Sequence, residues 1–273
     1  MSNKTIYAEP RLVTDINDCL FYHTMDIPGH GLVKGQFDLR QGVREYLGNV
    51  DFREKRVLEL GTASGFLCFY MESQGADVVA YDLSQHHDWD LVPLYTAERR
   101  HRPEVRRELI RKINNAFWFN HKAFNSNAKM VYGTVYKIPE EIGMVDISTF
   151  GAILFHLRDP FLALQNALRL TRETVIVTQG LWPLGLRRIP GPLRIPARLL
   201  ALFQFPQIRF VPNHRVPKGD TWWRLSPKVV RRMIAILGFE KSTTNYHWQK
   251  LGGGMYFAMY TVVGHRTREH YLY

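Results

Sequence analysis

The sequence predicts an α/β fold, a mostly parallel sheet covered by helices on both faces. Strand-like and helix-like segments alternate along most of the chain, the order that a parallel sheet with crossover helices requires. Two helix-like segments open on a capping residue followed by proline, Asp159-Pro160 and Ser226-Pro227, which marks where those helices begin. At 273 residues and 45% hydrophobic, the chain can build one sizeable core with an appended cap, and two full domains would be crowded.

Taken in order, Leu12, Ile16 and Leu20 predict an N-terminal helix, followed by a polar, glycine-bearing stretch from Asp26 to Gly35. Asp38 then caps a second helix that turns Val43, Tyr46 and Leu47 inward. Arg56–Leu60 reads as the first core strand and Gly65–Gln74 as the helix after it. Further strands are expected at Asp77–Asp82, Lys129–Tyr132, Val145–Thr149 and Thr174–Thr178. Behind Asp159-Pro160, the helix carries Phe161, Leu164, Ala167 and Leu168 on one face. Ser226-Pro227 opens a helix with Val229, Val230, Met233 and Leu237 that Gly238 closes. Phe239–Tyr246 and Tyr256–Val263 form a final antiparallel pair. The chain thus divides into an N-terminal segment (1–50), a core (51–180), an insertion (181–220) and a C-terminal part that completes the sheet (221–273).

The insertion breaks the rhythm with six prolines and five arginines before His214, and with an apolar run from Ala197 to Phe205. It reads as a cap over the site, with a membrane-surface element at 181–205 as the competing view. The net charge of +11 favours anionic partners without choosing among them. Arg99, Arg100, Arg102, Arg106, Arg107, Arg111 and Lys112 lie on an amphipathic helix whose apolar residues are Val105, Leu109, Ile113 and Ala116. That cluster is either a solvated face or a grip for an anion. Two isolated cysteines, Cys19 and Cys68, no secretory signal and no apolar run long enough to span a bilayer lead to the expectation of a cytoplasmic protein.

The chemistry concentrates in Val57-Leu-Glu-Leu-Gly-Thr-Ala-Ser-Gly-Phe-Leu67, a buried strand, a turn of small residues and a helix start. Small residues at Gly61, Ala63 and Gly65 let a ligand approach the backbone and the positive end of the helix. Asp82 ends the next strand 21 residues after Gly61, the spacing at which an acid meets the two hydroxyls of an adenosine ribose. A dinucleotide fingerprint requires a glycine where this chain has Phe66, whose ring prevents the close packing that holds a pyrophosphate. Glu59, an acid before the turn, repels phosphate and suits a cofactor that carries an ammonium and a sulfonium. Electrostatics therefore favours S-adenosylmethionine (SAM) over NAD.

Glu59-x-Gly61-x-x-x-Gly65 followed by Asp82 resembles the first two motifs of class I SAM-dependent methyltransferases. Val145 to Pro160 resembles the fourth motif as found in the family that includes the tRNA wobble-uridine (carboxymethoxyuridine) methyltransferase-like proteins. Phe21–Pro28, Gly35–Arg40 and Thr221-Trp-Trp-x-x-Ser-Pro resemble segments of that family's bacterial small-molecule relatives. The resemblance covers residues 18–180 and 220–264. It implies a Rossmann-like, seven-stranded class I methyltransferase sheet with N-terminal helices and a cap insertion after strand 5. By position it implies that Glu59, Gly61, Thr62 and Gly65 line the methionine and ribose part of SAM, with Asp82 on the ribose and Leu83 against the adenine. Thr134 and Val135 stand where the family reads the adenine amine, often with an aspartate. Phe150 and Phe155 follow the fourth strand, where methyl group and acceptor meet, and Tyr22 and Phe37 close the cofactor site. Gln36, and Phe155 where the carboxy-SAM branch carries a tyrosine, argue for ordinary SAM.

Methyl transfer from a sulfonium is an in-line displacement that needs mainly alignment and exclusion of water. A hydroxyl acceptor also needs a base, and His23 and His156 are the candidates, each with the alternative of a histidine satisfied by nearby backbone. His86-His87-Asp88 with Asp90 lacks a further ligand set at helical spacing, so no metal is expected. Trp222 and Trp223 wall an acceptor or pack the core. The resulting expectation is a SAM-dependent methyltransferase that O-methylates a small molecule such as a sugar, lipid or polyketide. The alternatives are a tRNA-modifying methyltransferase and a non-catalytic SAM- or partner-binding protein.

Overall fold

A computed structural model of the chain describes residues 5–93, 103–181, 189–203, 205–213, 219–251 and 254–268. The N-terminal part supplies the short strands β1 (Met25–Ile27), β2 (Gly31–Val33) and β3 (Phe37–Asp38) and one helical turn, α1 (Val43–Tyr46). The core follows as β4 (Arg56–Leu60), α2 (Phe66–Ser73), β5 (Asp77–Asp82), α3 (Pro103–Ala123), β6 (Lys129–Tyr132), β7 (Val145–Gly151), α4 (Pro160–Leu168) and β8 (Thr171–Gly180). After it come β9 (Ile189–Pro190), β10 (Ile208–Phe210), β11 (Trp223–Leu225), α5 (Pro227–Ile236), β12 (Lys241–Leu251) and β13 (Met255–His265).

Five strands run parallel in the order β6-β5-β4-β7-β8. β13 lies antiparallel on β8, and β12 antiparallel on β13. These are the seven expected strands. The two-residue strands β3 and β9 add to β12 and β13, which brings the sheet to nine. Alternation along β4 sends Leu58 and Leu60 to one apolar layer, with Leu164 and Val230 of α4 and α5. Val57 faces the opposite layer, with Leu67 and Met71 of α2 and Phe117 of α3. From β4 the chain builds outward through β5 and β6, then returns on the other side of β4 as β7. The strand order reverses there, and the crevice at the carboxyl ends of β4 and β7 is where open α/β sheets take ligands.

The capping residues behave as expected. Asp159 accepts the Leu162 amide at 2.9 Å ahead of Pro160, and Ser226 accepts the Val229 amide at 3.4 Å ahead of Pro227. Three sequence expectations need correction. The helix predicted over Leu12–Leu20 is only the 3-10 turn Ile16–Asp18, with Leu12 67% exposed, because this stretch is tied along α3. Leu20 N–H donates to the Lys112 carbonyl at 2.9 Å, and the Asn115 amide donates to the Asp18 carbonyl at 3.0 Å. Asp38 caps no helix, since Arg40 occupies its carboxylate and α1 starts behind Gly42. The predicted stripe on α3 holds in part: Ala116 is fully buried and Leu109 and Ile113 are half-buried, but Val105 is exposed, and Ile110, Asn114 and Phe117 also point inward. Of the basic cluster on that helix, Arg99, Arg100 and Arg102 lie outside the described residues.

The described part of the insertion lies against the outer strands. β9 pairs with the start of β13, Leu200 is fully buried, and the Trp248 indole on β12 donates to the Ile195 carbonyl at 2.9 Å. Among the described residues, no helix is long and apolar enough to cross a membrane.

The two helix caps carry different loads, because the Ser226 hydroxyl also accepts the Gln207 amide at 3.0 Å. In urea unfolding, Asp159→Ala is expected to cost about 1 kcal/mol and Ser226→Ala about 2 kcal/mol. Equal costs would show that the second bond at Ser226 adds nothing.

Candidate functional site

The turn from β4 into α2 is held by its own protein. Gly61, Ala63 and Gly65 all adopt positive φ (80°, 50° and 88°), a region glycine enters without steric cost. A Cβ at Gly61 would stand 2.5 Å from Ile153 Cγ2, and one at Gly65 would stand 2.3 Å from Phe69 Cε2. The two glycines are thus demanded by packing against the loop after β7 and against Phe69 of α2. The turn is also tied to β5. Ala63 N–H donates to Asp82 Oδ2 and Leu83 N–H to Asp82 Oδ1, both at 2.7 Å. Burial raises the Asp82 pKa against the pull of these two amides.

Glu59 is 2% exposed, one residue inside the end of β4. Burial pushes its pKa up to about 8; the hydrogen bond from the Thr62 hydroxyl at 2.6 Å works against this, and the nearby charge of Asp82 works with it. A buried carboxylate with no cation beside it takes up a proton at neutral pH.

The N-terminal segment folds back over this turn. Tyr22 N–H donates to Ser64 Oγ at 3.2 Å, and the Tyr22 carbonyl receives the amides of Gln36 and Phe37. Tyr22 and Phe37 therefore lie ring to ring at 5.2 Å, and His23 lies 5.5 Å from Phe66 at the helix start. The bulky Phe66 serves this flap. His23 is 8% exposed among these rings, and burial lowers its pKa to about 3. Burial thus keeps the ring neutral. Tyr46 of α1 completes the cluster: burial raises its pKa, with smaller contributions from Tyr22 and Glu59.

A roof comes from the segment before β11. Trp222 N–H donates to the Phe155 carbonyl at 2.8 Å, and its indole N–H to the Asp90 carbonyl at 2.7 Å. The Trp223 indole donates to the Arg158 carbonyl at 3.0 Å. Both tryptophans stitch loops together. His156 Nδ1 pairs with the Asp220 carbonyl. A carbonyl only accepts, so Nδ1 carries the proton and Nε2 keeps its lone pair. Burial holds the His156 pKa below the ordinary value, against this bond. The Asp220 charge also raises the pKa of Tyr22, which burial pushes to about 12, so roof and flap share an electrostatic environment.

On the far side of Asp82, the Asn114 amide of α3 donates to the Leu83 carbonyl at 3.1 Å. The Thr134 carbonyl accepts the Tyr81 hydroxyl at 2.9 Å, and the Val135 carbonyl accepts the Asn166 amide at 3.3 Å. Among the predicted residues, the fold brings Tyr22, Phe37, Glu59, Thr62 and Asp82 together, with Phe155 and His156 in the roof. Phe150, 1% exposed, packs in the α4–α5 layer beneath the end of β7. Sequence reasoning missed Tyr46, Ser64, Asn114, Asn120 and Asp220. Asn120 donates to the Ser64 carbonyl at 2.8 Å and so clamps the turn from α3. Amides interrupting an amphipathic helix were the one available signal.

Between the ordinary glutamate value of 4.5 and about 8, the folded chain holds a Glu59 proton that the unfolded chain has lost. Stability from this group is therefore lost as pH rises through that window. Glu59→Gln is expected to melt like the parent near pH 4.5 and progressively higher than the parent toward pH 8. A constant difference across that range would refute the raised pKa.

No family model matches the chain, and no curated protein matches it. Solved structures do. The N-terminal domain of EvdMO1, crystallised in the presence of S-adenosylhomocysteine (SAH) and D-fucose, aligns over 92% of this chain and 93% of its own, with 14% identity and a TM-score of 0.56. The same domain with SAH bound gives a TM-score of 0.54 at 14% identity over the same shares. Magnesium protoporphyrin IX methyltransferase (ChlM) from Synechocystis PCC 6803 with bound SAH aligns over 84% and 82%, at 12% identity and a TM-score of 0.50. The fold of this chain is the Rossmann-like class I methyltransferase fold.

Proposed function

We propose that the chain is a SAM-dependent methyltransferase acting on a small-molecule acceptor, with an oxygen as the attacked atom. The observation that carries this is the pair of carboxylates, buried Glu59 and half-buried Asp82, at the carboxyl ends of adjacent strands in this fold, one on each side of the glycine turn. The donor set fits the cofactor. Glu59 lacks a cation and suits an ammonium, and Asp82 has lone pairs beyond its two amide partners for ribose hydroxyls. Tyr22 and Phe37 offer ring faces to a sulfonium. When bound, SAM supplies a methyl group on a positively charged sulfur, already activated for displacement.

The residues of the chain then hold, align and dry the site. Asp82 would hold the ribose hydroxyls and Glu59 the ammonium of the methionine part. Tyr22, Phe37 and the roof at Trp222 exclude water, which strengthens each charge interaction inside. His156 is the better base: Nε2 keeps a free lone pair, whereas His23 is enclosed by rings. His156 Nε2 would take the proton from the acceptor hydroxyl, whose oxygen would replace sulfur on the methyl carbon while the S–C electron pair stays on sulfur. Thr134 and Val135 contribute backbone to the adenine side in place of the aspartate that the resemblance leads one to expect.

Calorimetry with SAM tests the binding half. Asp82→Ala removes charged hydrogen bonds and is expected to weaken SAM by roughly tenfold or more. Unchanged affinity, or no uptake by the parent chain, refutes the proposal. Transfer of labelled methyl groups to metabolite extracts tests the catalytic half. His156→Gln is expected to lower kcat on the order of a hundredfold with the KM for SAM unchanged. Label entering RNA alone would refute the small-molecule acceptor.

A further inference from the structure

The insertion after β8 has an unusual surface. From Thr174 to Gly219 the sequence contains no aspartate or glutamate, while Arg187, Arg188, Arg194, Arg198, Arg209, Arg215 and Lys218 fall within the same stretch. Of these, Arg194, Arg198 and Arg209 are among the described residues, and large apolar side chains stand in solvent along the same part of the chain. Leu193 is 69% exposed, Leu202 73%, Phe205 61%, and Ile208 and Phe210 54% each. Single exposed apolar residues are ordinary, but this many along one short cationic segment are not.

The local geometry explains how they come to face outward. In the 3-10 segment Ala197–Phe203, residues three apart share a face. Leu200 points inward and is fully buried, which leaves Leu199 and Leu202 on the outer side with Arg198 exposed beside them. β10 pairs with β11 along one edge, and all three of its residues are exposed. Phe210 also touches Trp222 and Trp223, at ring distances of 6.3 and 5.2 Å, so this surface adjoins the roof of the site.

We infer that the segment Leu193–Phe210 is a docking surface for an anionic phospholipid bilayer, set at the same end of the sheet as the catalytic crevice. Charge complementarity selects that occupant. An acid-free, arginine-bearing surface is drawn to anionic headgroups, and leucine, isoleucine and phenylalanine side chains enter the boundary between headgroups and acyl chains. The exposed side chains are mostly aliphatic, and aliphatic groups offer nucleic-acid bases nothing to stack on. Among the described residues no helix is long and apolar enough to cross the bilayer, so the attachment inferred is peripheral and reversible. The inference stands apart from the methyl-transfer reading, since it concerns a surface outside the crevice.

The test is co-sedimentation of the full chain with vesicles of phosphatidylcholine, with and without phosphatidylglycerol. The expected result is binding to the anionic vesicles that weakens with salt and is much reduced on phosphatidylcholine alone. The triple variant Leu202→Ser, Phe205→Ser, Phe210→Ser is expected to lower the partition by roughly tenfold or more, and Arg198→Glu to lower it less. All of these positions are exposed, so an unchanged melting temperature checks that the fold is kept. The inference fails if the parent stays in the supernatant, or if the triple variant binds as the parent does. It also fails if light scattering shows a second copy covering this face in a dimer that the triple variant breaks. SAM calorimetry on parent and triple variant reports the cofactor reading separately.

Discussion

Everything at the carboxyl end of this sheet depends on one carboxylate bridging two strand ends. Asp82 receives the amide of its own neighbour Leu83 and, from the adjacent crossing, the amide of Ala63. Buried charge is costly, and two short N–H bonds are what keep an acid tolerable there. In return they fix the turn after β4 against the loop after β5. The flap then fastens to Ser64, α3 reaches the same residue through Asn120, and the ring cluster of Tyr22, His23, Phe37 and Phe66 forms above it. Glu59 sits within this scaffold with the Thr62 hydroxyl as its partner and, among the described residues, no cation beside it.

Much of this was legible in the sequence, for identifiable reasons. β4, β5 and β6 match the predicted spans to the residue, because their apolar runs end abruptly at polar or glycine positions. Asp159-Pro160 and Ser226-Pro227 located α4 and α5, because capping and proline geometry are local properties. Glu59 and Asp82 stood out because an acid ending a buried strand has few structural uses. The expected β12–β13 pair was found, and each strand is longer than predicted, since Trp248 and Gln249 gain partners that no local pattern reveals.

The failures share a cause. Leu12, Ile16 and Leu20 have helical spacing by coincidence, and tertiary hydrogen bonds to α3 overrule it. On α3 the inward face is wider than the predicted stripe, because Asn114 and Asn115 read as polar surface, whereas both are buried with amides donating to the loops at Leu83 and Asp18. Tyr46 and Asp220 join the site from α1 and from the segment ahead of β11. Sequence distance conceals both, and only the folded sheet shows them converging on Tyr22.

The carbonyl of Tyr46 accepts hydroxyls from Thr178 at 2.6 Å and Thr261 at 2.9 Å, and Thr261 is further bonded to His247. α1 is thereby riveted to three strands at its last residue. The Tyr22–Phe37 stretch is fastened by main-chain bonds within itself, by Ser64 beneath it, by the Asn120 amide on Met25 Sδ at 3.3 Å and by the pairing of Phe37 with Leu251 of β12. Disturbing the β12–β13 pair would therefore unsettle α1 and the aromatic flap together, since Tyr46 and Phe37 are both anchored on it.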